Sequence, residues 1–388
     1  MTDLQRDGVS APATGGERSR LADTFAELCR IESPFGAERA CAERVSAELR
    51  ELGLEVFEDD AADAGAGCGN LLVRIPSASA EPSRTLLLCA HLDTVIPAAP
   101  IEPVVVDGGW ENANAGILGA DNKAAVALLL ELARRVVRAG PPPVGLELLF
   151  TVSEENALVG AKAFDVGKLE AEFGYVFDHA SPIGEIVVAS PTYYRLVADF
   201  RGAAAHAGIR PEDGRSAIAA AARAIAAMSL GRVDPQTTAN IGRIEGGSAS
   251  TNVVPDRCTI EAEARSLDPA TAERTIAEMV DHAQDGANSE ECDVDVTVEQ
   301  LFRGYRTPPS ATPVVVAEAA LKACGYEPRT IVTGGGSDAN AFEAAGLRCV
   351  NLANGTERNH EPTERVSVAA LEGMLDVALA LLAATAAC

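Results

Sequence analysis

The runs RTLLLCA (84–90), LELLFTV (146–152), FGYVFD (173–178) and LRCVNL (347–352) are apolar at consecutive positions rather than at alternate ones. Successive side chains of a strand point to opposite faces, so a strand with one solvated face alternates apolar and polar residues. Continuous apolar strands therefore need cover on both faces, as in parallel sheets sandwiched between helices. Helical patterns separate the runs, notably NKAAVALLLELARRVVRA (122–139) and NALVGAKAF (156–164). The pattern predicts an α/β fold: a mostly parallel sheet flanked by helices, with ligands gathering outside the carboxyl ends of the strands.

The middle of the chain follows a different period. YYRLVADFRG (193–202), RCTIEAEARSL (257–267) and CDVDVTVEQL (292–301) alternate as half-exposed antiparallel strands do, and residues 215–228 and 269–284 read as helices. They predict a compact α+β module at 190–302, inserted between the halves of a main domain at 21–189 plus 303–388. Residues 1–20 mix acids with arginines and hold no apolar segment, which predicts a disordered tail rather than a signal peptide. No apolar run is expected to approach the roughly 18–20 residues of a membrane span, so no membrane partner is expected. A formal net charge of -25 argues against a nucleic-acid partner. Nine cysteines without a CxxC pair, several inside apolar runs, predict free buried thiols in a reducing cytoplasm.

The chemistry-bearing residues cluster at strand ends and adjoining loops. CAHLDTV offers His91 and Asp93, LGADNKAA offers Asp121, YVFDHA offers Asp178, and NGTERNHEPTE offers His360. TVSEEN sets Glu154 and Glu155 side by side where the core ends, an arrangement that is costly without compensating charge. Taken singly, each has a bland reading: a structural histidine, or an aspartate capping a helix. In a parallel sheet, however, these ends share one edge. Two histidines with three or more carboxylates suit a pair of zinc-like divalent ions about 3.5–4 Å apart.

CAHLDTV, GADNKAA, SEENALVGAKAF, GAAAHAG, TNVVP with EARSLD, GGGSDAN and NGTERNHE occur in order over residues 20–385. In this the chain resembles the di-zinc aminopeptidase, carboxypeptidase and aminoacylase family, above all its peptidase T-like, tripeptide-cleaving members. The resemblance implies a zinc-exopeptidase-like catalytic domain carrying an inserted lid and dimerisation domain. It implies metal ligation by His91, Asp121, Glu155, Asp178 and His360, with Asp121 bridging two ions and often followed by a cis peptide bond. Asp93 would orient the His91 imidazole, and Glu154 would act as general base. Along a strand, neighbours point apart, and in the loop just beyond they seldom aim alike, so Glu155 would face a metal and Glu154 the water that is to attack. His206, Asn252, Arg265, Gly336 and Ser337 would bind substrate, His206 reaching across a homodimer and Arg265 supplying a planar fork for a carboxylate. Two positions depart from the pattern: Asn122, where relatives often carry a second Asp, and His179, read as a neighbour without chemistry.

The implied activity is metal-dependent hydrolysis of short peptides, aminopeptidase action on tripeptides first, by a cytoplasmic homodimer. Zinc is the expected ion; cobalt and manganese suit the same donors. The rival within the fold is an amidohydrolase that deacylates N-acyl amino acids or dipeptides. A binding or scaffold protein is the alternative of another class, and the complete ligand set argues against it.

Overall fold

The computed structural model describes residues 8–78 and 84–388. The chain divides into two compact units, one of residues 1–188, 306–332 and 337–388, the other of residues 189–305 and 333–336. The first is built on a nine-stranded sheet. At its centre, strands Gly145–Thr151, Thr85–His91, Phe173–His179 and Arg348–Ala353 run parallel in that spatial order. His91 lies opposite Thr151 in the register, Leu88 opposite Tyr175 and Asn351 opposite Val176. The strands Leu71–Ile75 and Glu185–Ser190 flank this core antiparallel.

Every residue of Gly145–Thr151 is buried, as continuous apolar runs require. Helices Gly15–Arg30, Ala120–Ala139, Thr312–Ala323 and Val368–Ala386 contribute to the same core. Because the four central strands are parallel, His91, Thr151, Asp178 and Ala353 all end on one edge of the sheet. The pattern for 156–164 overstated its helix: only Val159–Ala163 is helical, since Ala157 and Leu158 take left-handed φ values of 58° and 63°. A small sheet of Pro103–Val106, Gly109–Asn112, Arg365–Ser367 and Thr356–Glu357 escaped the sequence reading, its strands being too short to show a period.

The second unit is a five-stranded antiparallel sheet, in order Gly231–Asp234, Thr237–Gly246, Arg257–Ser266, Thr192–Arg201 and Asp293–Phe302. Arg257–Ser266 alternates between buried and more open positions along its length. Its buried face and helices Ala217–Ala227 and Pro269–Ser289 form a separate core. The helices approach closely: a Cβ at Gly286 would overlap the Ala220 carbonyl and Ala224.

Two expectations need correction. The apolar helix Val368–Ala386, 19 residues of mean hydropathy 1.8, is long and apolar enough to cross a membrane, contrary to the reading that no run approaches a span. Interspersed alanines mask its length; here it packs against Thr312–Ala323 and Ala120–Ala139. Nor are residues 8–20 a loose tail; residues 1–7 lie outside the described part. A helix begins at Gly15 behind a capping box in which Thr14 and Glu17 satisfy each other's backbone N–H groups. Arg135, on the long helix, donates to the carbonyls of Gly8 (2.9 Å) and Ala11 (3.0 Å). The same guanidinium meets Glu17 Oε2 at 2.7 Å. A largely buried guanidinium needs acceptors, and this stretch supplies them. Lys123, 1% exposed, likewise donates to the carbonyls of Leu28 and Ile31 at the end of Gly15–Arg30.

Burial alone would raise the Glu17 carboxyl, but Arg135 and Thr14 hold it at about 2, against an ordinary value of 4.5. A depressed carboxyl stabilises the fold above its unfolded pKa, and this is lost as pH falls through the folded one. Glu17→Gln should thus cost about 1–2 kcal/mol at pH 7, the pair being partly screened. Its deficit against wild type should shrink as pH falls from 4.5 toward 2. Urea unfolding followed by the fluorescence of Trp110, the only tryptophan, reads both.

Candidate active site

The edge shared by the parallel strands gathers six of the expected side chains. His91, the last residue of its strand, is 1% exposed. Its Nδ1 lies 3.0 Å from the Asp93 backbone carbonyl, and its Nε2 lies 3.2 Å from Asp121 Oδ1 and 3.6 Å from Asp178 Oδ1. The other oxygen of Asp121 lies 3.3 Å from His360 Nε2, which is 2.8 Å from Glu155 Oε1. One carboxylate thus faces two imidazoles, one through each oxygen. His91, Asp121 and Asp178 form one group of potential ligands with atoms within 4.8 Å of one another; Asp121, Glu155 and His360 form a second; His91, Glu154 and Glu155 form a third.

The backbone bends sharply to present these groups. The peptide bond Asp121–Asn122 is cis, at the start of the helix Ala120–Ala139, with Gly119 left-handed (φ 74°) before it. The glutamate pair lies not on the strand, which ends at Thr151, but in a turn with Ser153 at φ 50°. Few residues other than glycine adopt that conformation, and here three hydrogen bonds hold it. Ser153 Oγ donates to Glu38 Oε1 at 2.5 Å, and the Asp93 carboxylate accepts the N–H groups of Glu154 and Glu155, each at 3.0 Å. The pair thus falls in the loop beyond the strand, where both carboxylates come within 4.8 Å of His91. Asp93 also differs from expectation. Its main-chain carbonyl, at 3.0 Å, is the nearer partner of His91 Nδ1, its carboxylate standing at 3.4 Å.

The electrostatics follow from crowding. Burial and the Asp178 carboxylate push Glu154 well above the usual carboxyl range. Burial and Asp121 push Asp178 up to about 8. Burial would raise Asp121 too, but hydrogen bonds from His360 and His91 hold it well below. Hydrogen bonds that His360 donates to Asp121 and Glu155 lift it to about 10. Without added positive charge, then, the cluster holds on to protons.

Orphaned acceptors lie beside it. Asn122 donates to the Phe177 carbonyl (2.8 Å) and Asp178 Oδ1 (3.0 Å), and Asn359 donates to Asp121 Oδ2 (2.9 Å). The amide oxygen of each is buried without a partner, as is Asp338 Oδ1. Asp338, fully buried, accepts from Thr151 Oγ1 through its other oxygen at 2.5 Å. The donor set is all nitrogen and oxygen, Asp121 faces two ways, and buried acceptors lack partners. These features fit a pair of divalent cations.

The expected substrate-binding residues fall into both units. Ser337, buried, begins the helix Asp338–Ala344 in the first unit. The other four belong to the second. His206 and Asn252 lie on adjoining loops, Ala207 N–H donating to the Asn252 carbonyl at 2.8 Å, and both are exposed. Arg265 stacks on the Tyr193 ring at 4.0 Å and sets its fork on Glu263, with two contacts of 3.1 Å. Gly336 has a packing reason of its own: a Cβ there would overlap the Phe302 ring.

Comparison with known proteins agrees with this geometry. Residues 193–291 match a family model described as a peptidase dimerisation domain, and residues 70–178 match peptidase family M28. The uncharacterized protein YqjE of Bacillus subtilis is 36% identical over 364 residues, 94% of this chain and 97% of that protein. The solved structure of aminopeptidase PepT from Bacillus cereus superposes with a TM-score of 0.84 at 39% identity, covering 95% and 99% of the two chains. A tripeptidase structure from Staphylococcus aureus gives 0.89 at 36%, covering 96% and 99%. The chain belongs to the peptidase T-like metallopeptidases. As a member it is a hydrolase of peptide bonds, and its fold is the one the motifs implied.

Sequence reasoning missed Asn359, Asp338, Glu38 and Glu364 around this peptidase site. Glu364 is one of three glutamates among residues 357–364, and nothing in the sequence singles it out. The Asp93 geometry is testable. Asp93→Ala strands two N–H groups at a buried turn and should destabilise the metal-free peptidase by about 2–4 kcal/mol, measured by chemical denaturation.

Proposed function

We propose that this peptidase is an aminopeptidase of short peptides, tripeptides first. It would hold two divalent ions, zinc by preference, through His91, Asp121, Asp178, Glu155 and His360. The observation that carries the reading is Glu154: a carboxyl 9% exposed, of raised proton affinity, beside a His91 nitrogen and the ligand Glu155. When bound, the ions would acidify a water molecule and polarise the scissile carbonyl.

The remaining steps belong to the chain's own groups. Glu154 takes the proton of the attacking water and delivers it to the departing amine. Asp93 keeps Glu154 in place through its backbone N–H. Asp121, turned to both imidazoles, fixes the spacing of the two ligand sets. Asn122 and Asn359 orient the carboxylates of Asp178 and Asp121. Substrate binding falls to His206, Asn252, Gly336 and Ser337, and Arg265 takes a substrate carboxylate once Glu263 yields part of its fork. The module at 190–302 serves as lid and dimerisation domain of a cytoplasmic homodimer.

Glu154→Gln in metal-replete protein should lower kcat by about 10²–10⁴-fold while leaving KM within a few-fold. Turnover near wild type would remove Glu154 from this role. Dialysis against a chelator should abolish activity, with zinc, cobalt or manganese restoring it. A panel of substrates decides the bond attacked. Release of the N-terminal residue from unblocked tripeptides is expected, whereas action on N-acyl amino acids alone would replace this reading with deacylation. Light scattering should give twice the 40.2 kDa of one chain.

A further inference from the structure

Glu364 follows His360 by four residues, just before the short strand Arg365–Ser367. It is 2% exposed, and among the described residues no lysine or arginine pairs with it. Both its oxygens are spent on one turn. Oε2 accepts the N–H groups of Leu118 (2.8 Å) and Gly119 (2.9 Å), and Oε1 accepts that of Asp121 (2.9 Å). These three donors surround the left-handed Gly119 and end on the residue whose carboxylate faces both imidazoles. A buried carboxylate without a cation is costly unless backbone N–H groups satisfy it. The reverse also holds: among the described residues, those three donors have no other acceptor.

We infer that Glu364 is a positioning residue, clamping the Leu118–Asp121 turn so that each Asp121 oxygen is aimed at its own metal site. The loop that supplies His360 therefore also aims the carboxylate shared by both sites, and the two cannot be set independently. The inference rests on the two-ion reading above and goes beyond it by assigning the aim of Asp121 to a residue that touches no ion.

The test is metal binding rather than turnover. Chelator-competition titration of zinc, with the visible absorption spectrum of the cobalt(II) form, is run on wild type, Glu364→Gln and Glu147→Gln. Glutamine keeps the volume but turns an amide NH2 toward backbone N–H groups. Glu147, 1% exposed and about 13 Å along its strand from Thr151, is the control for opening a buried carboxylate away from the site: its Oε2 accepts the N–H groups of Glu170 and Ala171 while its Oε1 pairs with Arg74 at 3.0 Å. Glu364→Gln should bind the more weakly held ion about 10–100-fold less tightly and alter the cobalt bands, as loss of an outer partner of a ligand does. Glu147→Gln should keep wild-type affinity and spectrum. Should Glu364→Gln not fold, Gly119→Ala strains the same turn at φ 74° and is expected to lose affinity likewise.

Wild-type affinity and bands in the folded Glu364→Gln protein, or in Gly119→Ala where it stands in, overturn the inference. So does an equal loss in Glu147→Gln, which would mark a general effect of opening a buried clamp. Failure of the wild type itself to bind two ions overturns the two-ion reading and this inference with it.

Discussion

Four carboxylates and two imidazoles within a few ångströms of one another, mostly out of water, are the constraint to which the rest of this unit answers. Like charges so placed repel, and burial penalises each of them. Positive charge added at the site can offset that penalty, but only if the ligands are held in place beforehand. The protein achieves this with further buried acceptors turned toward backbone donors. Asp93 holds the Glu154–Glu155 turn, and Glu364 holds the turn before Asp121. Glu38 holds Ser153 along with the N–H groups of Gly36 and Gly67. The loops bearing Asp121 and Glu155 are thereby each fixed by an acid from another segment, and the parallel strands beneath supply the common edge.

The large features were legible in the sequence because burial on two faces leaves a continuous apolar signature. The four central strands, the long helix Ala120–Ala139 and three of the five strands of the second unit follow from period, whereas Gly231–Asp234 and Thr237–Gly246 were not read. The cluster of histidines and acids was legible because such residues at strand ends have few structural alternatives once several occur together. What could not be read was direction. The left-handed turn at Ser153, which puts Glu154 and Glu155 in a loop rather than on the strand, leaves no mark in the sequence. Glu364 and Asn359 sit among other polar residues of one loop, and only the fold decides which of them turns inward. Thr14 and Glu17 did carry a capping-box signal, yet the partner that makes the stretch structural, Arg135, lies more than a hundred residues away.

The second unit shows how identity of residue and role can separate. Arg265 was singled out for its planar fork, and in this structure the fork is engaged by Glu263 and the cation lies over Tyr193. A neighbouring carboxylate that neutralises the arginine makes it a weaker magnet for a substrate's carboxylate than a bare guanidinium would be. Selectivity for chain length, if Arg265 supplies it, then depends on exchange between two anions rather than on simple attraction.

The segment around Gly8–Glu17 has a consequence for where the molecule begins. Its carbonyls and one carboxylate occupy a guanidinium that would otherwise sit largely out of water without partners. For Arg135 these residues act as a built-in ligand, tethered rather than bound from solution. The packed part of the chain therefore starts well ahead of its first sheet strand, and trimming this stretch as a dispensable leader would leave a buried guanidinium without its acceptors.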